Sequence, residues 1–367
     1  MKRDPPAPSP IAATVDFAAD GAQHGVLRLP WSRDSSAWGA VMIPLAVIGR
    51  GAGPTVLFTG ASHGDEYEGP IALFDLARTL DPATMTGRAI ILPALNYPAF
   101  RAGTRTSPID GGNLNRSFPG DPRGNPTAQI ADYVTRHLLP LADIVLDIHS
   151  GGRTLDFLPY AAVHELADKA QQRRAMEAAA SFGAPWSMVM RELDAAGMLD
   201  TTAEALGRVF VTTELGGGGT ARAETVAIAR RGVRNLLRHA GILAGRRPPA
   251  PTQPARWLAM PSAECFHIAE DEGLVEPCVM PGETVREGDI LARIHPLART
   301  GRAPLVRRAA MDGILAARHV PGLIQPGDCL AVIACMVAAG EASDRVATRP
   351  ARDRKTLPRA NRGESKA

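Results

Sequence analysis

The chain has 367 residues, of which 45% are hydrophobic and 22% charged, a balance that predicts a globular protein and excludes a low-complexity or fibrous one. Its formal net charge is +3, yet the last 27 residues hold eight Lys or Arg against four Asp or Glu, so the basic sequence pI of about 8.8 belongs to the tail and gives no support to a nucleic-acid-binding fold. No run approaches the roughly 20 apolar residues of a membrane span, no signal-peptide pattern follows Met1, and the four cysteines lack metal-binding spacing, so the expectation is a cytoplasmic protein with reduced thiols, acting away from membranes.

In chain order, residues 1–10 carry four prolines and are expected to be disordered. Segments 26–30 and 38–48 read as two antiparallel strands. From residue 55 the pattern becomes α/β: strand 55–59, a helix with apolar spacing over 70–77, strand 89–92, helix 128–139 ahead of Pro140, strand 144–148, helix 167–182, strand 209–213, and a helix from 224 to about 243. Strands alternating with helices predict a largely parallel sheet with helices on both faces, which binds ligands at the carboxyl ends of its strands. This unit is assigned to residues 11–245. The proline-rich stretch 246–254 reads as a linker.

Beyond the linker, residues 255–340 contain a weak internal repeat, in which Pro281-Gly282 with Gly288-Asp289 is echoed by Pro321-Gly322 with Gly327-Asp328. Short strands joined by Gly-Asp turns predict a small all-β domain. It resembles a biotinyl/lipoyl-type domain, but the chain has no lysine between Lys169 and Lys355, so a covalently attached swinging cofactor is excluded there. Residues 341–367 are expected to form a disordered basic tail.

Three stretches carry candidate chemistry, each at a strand end. His63 and Glu66 follow strand 55–59 on a turn that opens a helix; they supply two thirds of a catalytic zinc site, or mark a charged helix start. His149 ends strand 144–148 and is followed by two glycines. Asp147, two residues earlier, shares its face and could brace the imidazole, whether His149 is a metal ligand or a core histidine satisfied by an aspartate. Glu214 ends strand 209–213 ahead of four glycines and suits a general base in metal-assisted hydrolysis. The glycine run lacks a nucleotide fingerprint and no lysine follows it, which argues against a phosphate loop. Between the metal turns lies loop 101–120, rich in Gly, Pro and Arg. Its guanidinium groups could grip a carboxylate or polarise a carbonyl, or could be solvated surface charges.

The order of these pieces, Ser-His-Gly-Asp-Glu at 62–66, Asn-Leu-Asn-Arg at 113–116, Asp-Ile-His at 147–149 and Thr-Glu-Leu-Gly at 213–216, resembles the succinylglutamate desuccinylase/aspartoacylase family of zinc carboxypeptidase-like amidohydrolases, over residues 12–340. The resemblance implies a carboxypeptidase-like mixed sheet, with Zn2+ on His63, Glu66 and His149 and with Glu214 as base. It makes Asn115 and Arg116 the clamp for a substrate α-carboxylate, and Arg105 the group that polarises the carbonyl. It points to a small acyl-amino-acid substrate, nearest to the branch that deacetylates Nα-acetyl-L-2,4-diaminobutyrate in ectoine degradation. Acetylaspartate, succinylglutamate and a non-catalytic binding role remain open, as does assembly into a homo-oligomer. Where aspartate-cleaving members carry an arginine before the base, this chain has Glu204, an acid suited to a substrate ammonium or else a solvated helix residue. Asp156 and Asp194 could supply the same charge.

Overall fold

The structure is a computed structural model that describes residues 8–191, 196–244 and 256–338. Asp194, the whole of the expected 246–254 linker, the 341–367 tail and residues 1–7 lie outside the described residues.

The longer strands of the first unit are β1 (Gly21–Pro30), β2 (Ala40–Arg50), β3 (Thr55–Gly60), β4 (Gly87–Leu92), β5 (Ile144–His149), β6 (Tyr160–His164), β7 (Trp186–Met190) and β8 (Val209–Glu214). In space they lie in the order β1-β2-β4-β3-β5-β8-β6-β7. The central four, β4, β3, β5 and β8, are parallel, while β1, β2 and β6 run against their inner neighbours. Near-continuous Val, Ile, Leu and Phe in the central strands fits burial on both faces, and β5 is buried throughout. One face packs on α1 (Glu68–Thr79), α4 (Lys169–Phe182) and α6 (Ala223–His239) through a core that includes Phe58, Leu73, Leu146, Phe182 and Val233. The other carries Leu57, Ile90, Val145 and Phe210 against α3 (Pro126–Tyr133) and α5 (Leu199–Ala205).

The differences from expectation have local causes. The helix expected over 128–139 is helical only to Tyr133, then widens into a π-turn at Val134–Leu138 and tightens into a 3-10 turn at Leu139–Leu141, where Pro140 has no N–H to continue the ladder. The last long helix stops at His239, and Gly241 takes φ +77° just beyond it. Strands β6 and β7, each of five residues, and helix α5 carry patterns too short for the periodicity to register.

The C-terminal half contributes β9 (Trp257–Met260), β10 (Gly313–His319) and β11 (Cys329–Val337), along with a separate four-stranded sheet that includes Ile290–His295 and Leu305–Arg308. The repeat is visible in its hydrogen bonds. Arg286 N–H donates to Asp289 at 2.8 Å, as Gln325 N–H does to Asp328 at 2.9 Å. Gly288 and Gly327 both sit at positive φ, +88° and +95°. These strands also join the first unit: β9 pairs in parallel with β7, and β10 pairs with the short strand Leu155–Phe157. A shared core of Leu158, Tyr160 and Met188 with Leu258, Ala316 and Val332 lies between the halves. No helix among the described residues is long and apolar enough to cross a membrane.

Candidate active site

The carboxyl ends of β3, β5 and β8 lie side by side, and each delivers one part of the site. On β3 the chain leaves through Gly60 and turns at Ala61, a non-glycine residue at φ +51° whose carbonyl accepts the Asn96 N–H at 3.1 Å. A left-handed alanine is sparsely populated backbone, held here by its surroundings beside functional groups. The turn aims His63 and Glu66 at one point, with His63 Nδ1 2.7 Å from Glu66 Oε1. From β5, His149 brings its Nδ1 to 2.9 Å from Glu66 Oε2. One donor atom from each of the three residues lies within 4.8 Å of the others, and all three residues are buried.

Three features fit this cluster to a metal ion. Two imidazole Nδ1 atoms converge on one carboxylate, a nitrogen and oxygen donor set suited to zinc. His149 Nε2–H donates to Asp147 at 2.7 Å, and Asp147 in turn accepts from Thr59 and Ser62 at 2.7 and 3.1 Å. That chain fixes the ring and turns Nδ1 towards the cluster, as outer partners of metal-bound histidines do. Finally, the carboxylates of Glu66, Glu68 and Asp147 gather with Glu214 around the two imidazoles and Arg105, an excess of negative charge that suits a dication.

The electrostatics follow from that crowding. Burial opposes charge on Glu66, but the His149 and His63 imidazoles outweigh it and hold the carboxyl well below its usual range. Burial also opposes charge on His149, yet Asp147 and Glu66 hold its pKa well above that of a free imidazole. Glu214 goes the other way: burial, reinforced by the Glu66 carboxylate, pushes it up to about 8. It stands opposite His149 in the β5–β8 ladder, and its Oε2 is buried with no hydrogen-bond partner. A carboxyl poised near neutral pH can both take and return a proton.

The glycine run after Glu214 has a structural explanation. Gly216, Gly217, Gly218 and Gly219 all take positive φ, and a Cβ on Gly217 would lie 2.1 Å from the Leu155 carbonyl oxygen. The bare backbone knits the loop after Glu214 to the loop after His149, with Gly151 N–H bonded to Gly216 O and Gly218 N–H to Leu155 O.

The structure brings Arg105 to the cluster: its Nη1 is 3.9 Å from Glu66 Oε1, and the side chain is half exposed. Asn115 and Arg116 stand on a 3-10 turn at Leu114–Arg116. Asn115 Oδ1 accepts the Leu199 N–H at 3.0 Å, which leaves its amide nitrogen as the donor, while Arg116 Nη1 bonds the Asn115 carbonyl at 2.7 Å. Glu204 is not brought to the site. It accepts from His164 Nδ1 at 3.0 Å with both side chains buried. His164 lies four residues from Tyr160, which pairs with Glu214, so this acid sits about 13 Å down the ladder from the base, at a strand rise of roughly 3.3 Å. It is a structural partner of β6, neither solvated nor facing the cluster of His63, Glu66 and His149. Asp156 is likewise engaged, by the Arg222 guanidinium at 2.8 and 3.2 Å.

A parallel sheet edge that gathers two histidines and a glutamate able to hold a metal ion, with a second buried glutamate beside them, is the arrangement of a hydrolase. The chain belongs to the succinylglutamate desuccinylase/aspartoacylase family, whose catalytic-domain model matches residues 52–240. It is 55% identical over 330 residues to the N-alpha-acetyl-L-2,4-diaminobutyric acid deacetylase of Halomonas elongata, covering 90% of this chain and 96% of that one. The product-bound ectoine utilization protein EutE (DoeB) from Ruegeria pomeroyi shares the fold with a TM-score of 0.87 at 55% identity, over 90% of this chain and 99% of that one. A succinylglutamate desuccinylase from Silicibacter sp. TM1040 also gives 0.87, at 52% identity over 90% and 100% of the two chains.

Proposed function

We propose that this chain is a zinc-dependent amidohydrolase that removes the acetyl group from Nα-acetyl-L-2,4-diaminobutyrate, releasing acetate and 2,4-diaminobutyrate in the cytoplasm. The observation that carries the reading is the convergence of His63, Glu66 and His149 beside Glu214, in a chain 55% identical to a deacetylase named for that substrate.

Zinc bound by His63, Glu66 and His149 would supply a Lewis acid that makes water nucleophilic at neutral pH and polarises the amide carbonyl. Glu214 accepts the proton of the attacking water and delivers it to the departing nitrogen. Arg105 places positive charge where the carbonyl oxygen becomes an oxyanion. The Asn115 amide and the Arg116 guanidinium hold the substrate α-carboxylate, fixing the scissile bond against the base.

A second reading, hydrolysis of a different acylated amino acid, is favoured by the 52% identical structure described as a succinylglutamate desuccinylase. Both readings meet the same experiment: zinc content of the purified protein, followed by amine release from acetyl-diaminobutyrate, acetylaspartate and succinylglutamate. About one zinc per chain with preferential turnover of acetyl-diaminobutyrate is expected. Turnover of succinylglutamate alone would establish the second reading, and a zinc-loaded protein inert towards all three would sink both.

A further inference from the structure

The first turn of α6 takes no part in the chemistry above, yet it touches the segments that carry it. Thr225 Oγ1 donates to Glu68 Oε1 at 2.9 Å, in a buried contact between positions 157 apart in the chain. Glu68 comes two residues after Glu66, is 1% exposed, and has no hydrogen-bond partner for its Oε2. The Ser150 side chain lies close enough to this carboxylate to favour its charged form against the upward push of burial. Ser150 in turn gives its backbone N–H to Glu66 Oε2 at 3.2 Å. Three residues before Thr225, the Arg222 guanidinium holds Asp156, and a Cβ on Gly216 would lie 2.4 Å from its Nη2.

Helix docking does not require a buried acid here. Helices α1 and α6 already pack through Leu73, Leu76, Val233 and Leu237 in one apolar core. A carboxylate in that setting is costly unless it has another task. Its contacts run from α6 to the Glu66 carboxylate through Ser150, the residue that follows His149.

We infer that Thr225, acting through Glu68 and Ser150, is a positioning residue that fixes the Glu66 carboxylate and so sets how tightly this chain retains its metal. The inference rests on the reading of His63, Glu66 and His149 as metal ligands. It predicts an effect on metal affinity distinct from any effect on stability, since the bond lies beside Glu66 while Leu73 and Leu76 pack further along the helix.

The test measures zinc affinity of the full chain by competition with a chromogenic chelator, alongside thermal unfolding of the metal-free form. Thr225→Val and Glu68→Met each remove the bond from one side, and each should weaken zinc binding about 10- to 100-fold, the usual scale for an outer partner of a metal ligand. Thr225→Ser restores the hydroxyl and should bind zinc as wild type does. Glu68→Gln keeps an acceptor in place and should do the same; a large loss in that variant would assign the effect to charge and overturn the inference, even if both removal variants failed to fold. A folded Thr225→Val or Glu68→Met protein with wild-type zinc affinity would also overturn it, whatever its melting temperature. A wild-type chain that binds no zinc would instead sink the metal reading on which the inference stands.

Discussion

Gly64→Ala is the smallest change that should dismantle the site. A Cβ at Gly64 would lie 2.0 Å from the Ala99 carbonyl carbon, 2.2 Å from its oxygen and 2.3 Å from the Phe100 nitrogen, where ordinary contact begins at 3.4 Å. The overlap of about 1.4 Å is with main chain, so no rotamer change can absorb it. Helix α2 (Tyr97–Ala102) is held on that side, with Ala99 fully buried and its carbonyl accepting the Thr104 N–H. On the other side lies the turn with His63 and Glu66, so the displacement falls on the ligands. A misplacement of about 1 Å at reacting groups costs on the order of 100-fold in rate, and overpacking a tight interior costs about 1–3 kcal/mol. Zinc affinity, kcat/KM at saturating zinc and the melting temperature should be compared with wild type. The expected variant is folded, melts a few degrees lower, binds zinc weakly and has lost at least about 100-fold in kcat/KM. Wild-type zinc affinity and rate would refute the reasoning, because α2 would then be the element that yields.

His63→Ala, Glu66→Ala and His149→Ala should each lose zinc and activity together, since three protein ligands are the minimum for an open catalytic site; full occupancy by elemental analysis in any of them removes that residue from the ligand set. Glu214→Gln should keep its zinc and its KM while kcat falls about 100-fold or more, and an unchanged kcat would place the base elsewhere. Glu204→Gln should leave KM for the cationic substrate unchanged and destabilise the fold by about 1–3 kcal/mol, because His164 loses a charged, buried acceptor. A steep rise in KM with stability intact would return Glu204 to the substrate pocket.

His63, Glu66, His149 and Glu214 were legible because each stands where an apolar run stops, and such runs can be read from local pattern alone. Their neighbours in space were not. The tie between Glu204 and His164 spans 40 residues and depends on β6, whose five residues alternate too little to announce a strand. Local sequence therefore suits this acid to a substrate ammonium or to solvent, whereas its partner is an imidazole of the same chain. Glu68, Thr225 and Gly64 leave no signature for a related reason. What marks them is a contact 157 residues away or a Cβ that would meet another segment's backbone, and neither is a property of the nearby sequence.

The C-terminal half shows the same limit from another direction. Its Gly-Asp turns were readable, since a turn at positive φ closed by an aspartate is a local event. Where its strands would pair was not readable, because register is set by the partner. The outcome matters for the site. Strand β10 pairs with Leu155–Phe157, placing Ala317 opposite Phe157, and the Leu158 N–H donates to the Ala316 carbonyl at 2.8 Å. The loop that leaves His149 is thus held from two directions, by the glycine run behind Glu214 and by a strand more than 150 residues further along the chain. The end of β5 is therefore fixed from outside its own sheet as well as within it, which limits how far the turn after it can move His149 relative to Glu66.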